Sequence, residues 1–306
     1  MRTKYLLPII LIVCSLSKAK AQDNNLLNLL DDSLNAHKTT DYVTGTFKAT
    51  RIVNLHTTES PAQGVLNFVI QHRFGKLNDG AYNFFGLDNA TLRLAFDYGI
   101  TDRLAIGIGR SSLEKTFDGF TQYKLFRQTA GSNKIPVSVS AFASVATYTQ
   151  RYTGKEYLDA TYRTSYTAQL IIARKFSRIF SAELVPTFIH YNLVPTVKDK
   201  NNVFAVGAGG RLKISKRMSI NAEYNYLPAN QVVSTESHSS FSLGWDIETG
   251  GHIFQLVFSN SQGIIESQYI GRTTGSWGKG DIYFGFNMGR PFNITKHAKS
   301  VPAWVK

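Results

Sequence analysis

The sequence predicts an all-β fold: a transmembrane antiparallel up-and-down β-barrel of about 12 strands, with 14 as the alternative, preceded by a short helix. Three observations predict it. The chain begins like an exported protein, its side chains alternate apolar and polar with a period of two, and its connections alternate between short and long. The alternation is cleanest at 240–259, where Phe241, Leu243, Trp245 and Ile247 interleave with Ser242, Gly244, Asp246 and Glu248. A period of two gives a strand one apolar and one polar side. Gly250-Gly251 comes next, a pair that tolerates positive φ and closes a tight hairpin.

Taken in order, residues 1–21 read as a secretory signal. Arg2 and Lys4 precede an apolar run at 6–16, and Ala19-Lys20-Ala21 is a small-x-small cleavage site. The run is shorter than the ~20 residues of a membrane helix. Cys14, the one cysteine, lies within it, so the mature chain is expected to carry no thiol, disulfide or thiolate metal site. Residues 22–63 form an N-terminal periplasmic or lumenal segment. Within it 23–35 reads as a helix, with Leu26, Leu27, Leu30 and Leu34 on one face.

The barrel is expected over 64–292, with a periplasmic tail at 293–306. Strands are placed at 64–74, 91–99, 103–110, 117–128, 136–149, 162–174, 179–191, 203–214, 219–227, 240–248, 252–259 and 281–292. Short connections at 100–102, 175–178, 215–218 and 250–251 alternate with long ones, as periplasmic turns and outer loops do. Residues 46–54 are extended as well. A thirteenth spanning strand would leave the signal end on the wrong side of the membrane. That segment is therefore lumenal or periplasmic, or a further strand precedes it.

The apolar rows Leu66/Phe68/Ile70, Leu92/Leu94/Phe96/Tyr98 and Ile220/Ala222/Tyr224/Tyr226 are expected to face lipid, with Tyr98, Tyr226 and Trp245 at the interfaces. The opposite rows carry Arg73, Arg93, Asp97, Glu183, Arg211, Lys213, Glu223, Asp246, Glu248 and Gln255. Their mixed signs suggest pairing that narrows the channel, although twelve strands lie between the filled 8-strand and the open 16-strand barrels. Gly107 and Gly109, Gly207 and Gly209, and Gly285 and Gly289 fall on inward rows. Glycine within a strand marks close backbone approach or a bend. Either residues 46–54 or an inward loop lies against these rows, or the glycines relieve barrel curvature.

Chemistry is sparse. The seven histidines form no pair with metal-seating spacing, and no Ser–His–acid set can be assembled. Gly107-Ile108-Gly109 and 207–210 do not introduce helices, which excludes a phosphate loop. No cofactor and no enzymatic activity are expected. The full chain has 34 basic and 21 acidic residues, a net charge of +13. The basic residues are not clustered with stacking aromatics, so nucleic acid is not the partner. Membrane lipid and lipopolysaccharide phosphate suit that charge better. The oligomeric state is open.

Several motifs resemble a known family. They are His72-Arg73-Phe74-Gly75, the run 85–90 with Asp88, Gly107-Ile108-Gly109-Arg110, the run 248–256 with Gln255, and Gly285-Phe286-Asn287. Together they resemble the membrane-bound β-barrel family DUF5777, over roughly residues 46–292. The resemblance implies an outer-membrane barrel of a Gram-negative envelope, and no activity or catalytic residue. Its polar members Arg73, Asp88, Arg110 and Gln255 are candidates for one cluster at a mouth or in the lumen. Two functions are expected: a passive conduit or binding pore for a small solute, or a closed barrel that docks a periplasmic or extracellular partner.

Overall fold

Twelve consecutive strands hydrogen-bond in chain order, and the last returns to the first. The computed structural model describes residues 41–131, 134–249 and 251–295, and the barrel belongs to the compact unit that begins at Tyr42. The expected signal, the helix at 23–35 and the tail beyond 295 lie outside the described residues. The strands are β1 (Val65–Lys76), β2 (Ala90–Gly99), β3 (Leu104–Ser111), β4 (Phe117–Phe126), β5 (Ser138–Thr147) and β6 (Thr164–Lys175). They continue as β7 (Phe180–Tyr191), β8 (Asn202–Lys213), β9 (Met218–Tyr226), β10 (Ser240–Thr249), β11 (His252–Ser259) and β12 (Tyr283–Asn293). Closure is antiparallel, running from Asn293 opposite Val65 to Tyr283 opposite Lys76. No described helix could cross a membrane; the crossing is made by strands.

The dyad assigns the faces as expected. Along β1, Val65, Asn67, Val69, Gln71 and Arg73 are buried while their neighbours are half-exposed. Phe96, Ile108, Leu184, Phe204, Ile220 and Trp245 form part of an exposed apolar outer surface. Such a surface suits hydrocarbon and would be untenable in water. Thr249 pairs with His252 and Gly251 takes φ 114°, in keeping with the tight hairpin expected here.

Residues 46–54 are not a wall strand. They enter the lumen and, with 55–63, form a small hairpin. Ile52 N–H donates to the Leu55 carbonyl at 2.8 Å and Thr57 N–H to the Thr50 carbonyl at 2.9 Å. The hairpin rejoins the wall where Gly64 N–H donates to the Gly99 carbonyl at 2.9 Å. From the long-loop end, residues 260–282 also fold inward. They carry the one-turn helix α1 (Glu266–Tyr269), all four residues of which are buried.

The inward glycines separate into two kinds. A Cβ on Gly207 would lie 3.1 Å from Leu55 Cδ1, and one on Gly209 would collide with Ile52 Cδ1. These two clear space for the hairpin, as does Gly244, where a Cβ would lie 2.9 Å from Val53 Cγ2. Gly285 instead sits at a register irregularity, and a Cβ there would strike the His72 carbonyl of the adjacent strand. Gly109 makes room for the Arg93 guanidinium. Substituting Gly209→Val is expected to cost about 1–3 kcal/mol through overpacking, seen as a lower melting temperature, with Gly289→Ala near neutral.

Candidate functional site

The lumen is the chemically distinctive part of the molecule, and two inward segments fill it. The hairpin tip is held by one carboxylate. Glu223, on an inward position of β9 and 1% exposed, accepts from three consecutive backbone N–H groups. Its Oε2 receives Val53 at 3.1 Å, Asn54 at 2.9 Å and Leu55 at 2.9 Å, and Oε1 receives Asn54 at 3.0 Å. Successive N–H groups turned to one side form a natural anion cradle. Here the anion comes from the wall and the cradle from the plug.

Wall side chains grip the rest of the tip. Asn54 Oδ1 accepts from Arg73 Nη2 at 2.9 Å, and Asn54 Nδ2 donates to Ser242 Oγ at 3.1 Å. Asn54 therefore sits between the Arg73 cation and the Glu223 anion, bonded to both. Gln255 Nε2 donates to the Ile52 carbonyl and to Asp246 Oδ1, each at 2.6 Å. Asn287 Nδ2 donates to the Val53 carbonyl at 2.9 Å and to Gln255 Oε1 at 2.7 Å, while Asn287 Oδ1 accepts from Arg73 Nη1 at 2.9 Å. Arg211 Nε reaches Asp246 through Ser219, in two bonds of 3.0 Å each.

The two plugs meet at Glu266. Its Oε1 lies 3.3 Å from Arg51 Nη1 of the hairpin and 3.5 Å from His56 Nε2, with the side chains 3%, 7% and 1% exposed respectively. Removing one partner of a buried pair strands the other charge and typically costs ~3–5 kcal/mol. Arg51→Ala is therefore expected to lower thermal stability strongly. Arg51→Ala combined with Glu266→Gln should recover part of the loss, as a double-mutant cycle of melting curves would show.

On the inward faces of β6–β8, apolar residues are interleaved with the buried Gln169, Glu183 and Thr187. Ile171, Val185, Ile189, Val203 and Ala205 of the wall pack with Leu55 of the hairpin and Tyr269 and Ile270 of the inner loop. A smaller cluster joins Phe47, Ile52 and Val53 to Ala173 and Val257. Both clusters mix plug and wall, so the interior is packed as a protein core.

The expected site residues fall into groups. Arg73, Glu223, Asp246 and Gln255 converge on the hairpin tip, with Arg211 one hydroxyl away. Glu248 lies at the short-turn end and pairs with Lys48 at 2.8 Å; Lys213 is half-buried at the same end. Arg93 binds Asp118, with Nε to Oδ1 at 3.0 Å, and Gln71 at 2.8 Å. Asp97 is buried on the same strand, and Glu183 is 5% exposed on β7 with neither carboxylate oxygen hydrogen-bonded. The expected direct pairing among these wall charges is mostly replaced: Arg93 and Glu248 find partners outside the set.

Two residues do not join the cluster. Asp88 is exposed in the loop after β1, and Arg110 takes an outward position at the end of β3, 5.4 Å above the Phe117 ring. Arg110 adjoins Gly109 on the strand, so the dyad itself turns it outward. Arg51, Asn54, His56 and Glu266 carry no signal in the sequence, because Arg51 and His56 meet Glu266, and Asn54 meets Glu223 and Ser242, only across most of the barrel.

The loop end has its own anchor. Asp281 accepts from Asn78 Nδ2, the Ser276 N–H and Lys76 Nζ, each at 3.1 Å. These donors, the Asn78 amide foremost, hold its carboxyl down at about 2. A depressed folded-state value means the stabilisation is present above the unfolded carboxylate range, about pH 4, and is lost as pH falls toward 2. Asp281→Asn should lower the melting temperature at pH 7 and make little difference at pH 2.

A wall of twelve strands with an apolar exterior and two segments of its own chain packed in the lumen defines a membrane-spanning β-barrel. The chain belongs to the family described as membrane bound beta barrel domain (DUF5777), which matches residues 47–292. No curated protein matches it. Among solved structures, the NanC porin is similar at 9% identity, covering 73% of this chain and 97% of that one, with a TM-score of 0.45. An outer membrane channel from Pseudomonas putida F1 is 14% identical over 77% of this chain and 97% of that one, TM-score 0.44. Outer membrane phospholipase A from Escherichia coli is 12% identical over 81% and 98%, TM-score 0.45.

Proposed function

We propose that this chain is an outer-membrane barrel closed at rest, which acts by docking or binding at its two ends rather than as an open passive conduit. In this reading the signal at 1–21 exports it to the outer membrane of a Gram-negative bacterium. There the apolar belt contacts lipid and the basic excess contacts lipopolysaccharide phosphate. The role is non-enzymatic. The single observation that carries the reading is the meeting of the two plugs at Arg51 and Glu266, 3.3 Å apart inside the lumen.

Planar-bilayer recording tests it. The intact purified protein should give no unitary current at moderate voltage, and steady ohmic steps would overturn the reading. A second function, conduction of a small solute, would require displacement of one or both plugs. The Arg51–Glu266–His56 contacts, at 3.3–3.5 Å, are the place where the plugs would part.

A further inference from the structure

We propose that a cavity of about 440 Å³ between the outer loops is a binding site for a small planar aromatic carboxylate. This goes beyond the closed-lumen reading, and it is read by binding rather than by current. The cavity is bounded by the loops after β5, β7 and β9, and floored by Gly271 and Arg272 of the inward loop. Its volume lies within the usual range for small-molecule sites, ~300–1,000 Å³.

The lining selects the ligand chemistry. Tyr148 and Tyr152 present edge-to-face rings with centroids 6.4 Å apart, facing an aliphatic wall that includes Leu158, Val194 and Val232. A flat apolar body fits between such surfaces. The charges are unevenly available. Asp199 is spent inside its own loop: Oδ1 accepts from the N–H groups of Val233 at 2.6 Å and Ser234 at 2.9 Å, and Oδ2 from Thr196 Oγ1 at 2.8 Å. Burial pushes its carboxyl up, yet these donors hold it below the ordinary carboxylate range, so it stays an anion committed to the loop. Glu114 faces Arg272 at 3.6 Å, and that guanidinium also lies 4.8 Å above the Tyr191 ring.

Lys155 and Lys200, both exposed on the lining, supply the remaining positive charge. Lys155 lies 6.0 Å above the Tyr152 ring, so cation and aromatic surface are adjacent. Neither asparagine nor glutamine lines the cavity among the described residues. A neutral sugar, which needs planar amides or free carboxylates against its hydroxyls, is therefore poorly served. An anionic head on an aromatic body is well served, since a charge-assisted bond to an ammonium is stronger than a neutral one.

The test is equilibrium dialysis of the full chain in lipid nanodiscs against 2-naphthoate, with 2-naphthylmethanol as its neutral analogue and empty nanodiscs as the partition control. Saturable binding of the acid is expected, with the alcohol roughly tenfold weaker or more, the value of a charged hydrogen bond. Lys155→Gln with Lys200→Gln should weaken the acid roughly tenfold and leave the alcohol unchanged, and Tyr152→Ala should weaken both. Equal binding of acid and alcohol, uptake no greater than in empty nanodiscs, or an unaltered double lysine variant would each overturn the proposal. The acid-against-alcohol comparison needs no substitution, so it decides the matter even if a variant fails to assemble.

Discussion

Deleting residues 46–58 and shortening 262–272 in one variant is expected to turn a silent barrel into a conducting one. Either deletion alone should give little or no current. The two segments enter from opposite ends and meet at Glu266, so each still obstructs the lumen when the other is gone. The wall should survive, because every strand hydrogen-bonds on both sides and closure leaves no edge to unzip. Twelve strands enclose more space than the eight that wall side chains alone can fill. The vacated lumen would not wet evenly. Asn221, Asn225 and Gln255 line it on β9 and β11, whereas Ile171, Val185 and Ile189 interrupt the polar residues of β6 and β7. Flickering current would fit such a partly apolar lumen. A doubly deleted barrel that still resists SDS when unheated and yet passes no current would show that the wall itself closes the pore.

Glu223→Ala should be the most damaging single substitution in the lumen. It strands the N–H groups of Val53, Asn54 and Leu55 in a buried site, and each unsatisfied buried donor costs ~1–3 kcal/mol. Three such donors sum to about 3–9 kcal/mol, and the lower part of that range matches the ~3–5 kcal/mol of a lost buried charge partner. The Arg73–Asn54 bond should loosen with it, since Asn54 is held between Arg73 and Glu223. Glu223→Gln keeps one acceptor oxygen and should fall between parent and alanine. The transition from the folded to the heat-unfolded band on semi-native gels measures this. Equal mobility-shift temperatures for all three proteins would mean that the cradle contributes nothing.

The wall is legible in the sequence because its physics is local. A two-residue period needs only neighbours along the chain, and all twelve strands lie within a few residues of their expected bounds. The plug is half legible. Parity argues against residues 46–54 as a lone thirteenth wall strand, and Gly207 and Gly209 offer a face with clearance or a bend, but nothing local shows that residues 55–63 complete a hairpin. The 260–282 segment reads as an ordinary outer loop, although Ile264, Ile265 and Ile270 are an unusual set to leave in water and are in fact buried. The apolar patches of the lumen are hidden because an inward Ile171 or Val185 resembles a lipid-facing residue; only the plug packed against it makes an inward isoleucine favourable. Asp88 and Arg110 share motifs with Arg73, and motif membership says nothing about which way a side chain points.

Hydrogen exchange at the amides of Val53, Asn54 and Leu55 tests the internal closure most directly. With these groups bonded to Glu223 inside the barrel, their exchange should be as slow as that of the β9 amides and should accelerate in Glu223→Ala. Exchange as fast as in the exposed loop at 148–163 would contradict the account, because a hairpin anchored in the lumen cannot surrender its amides to water while the wall stays folded.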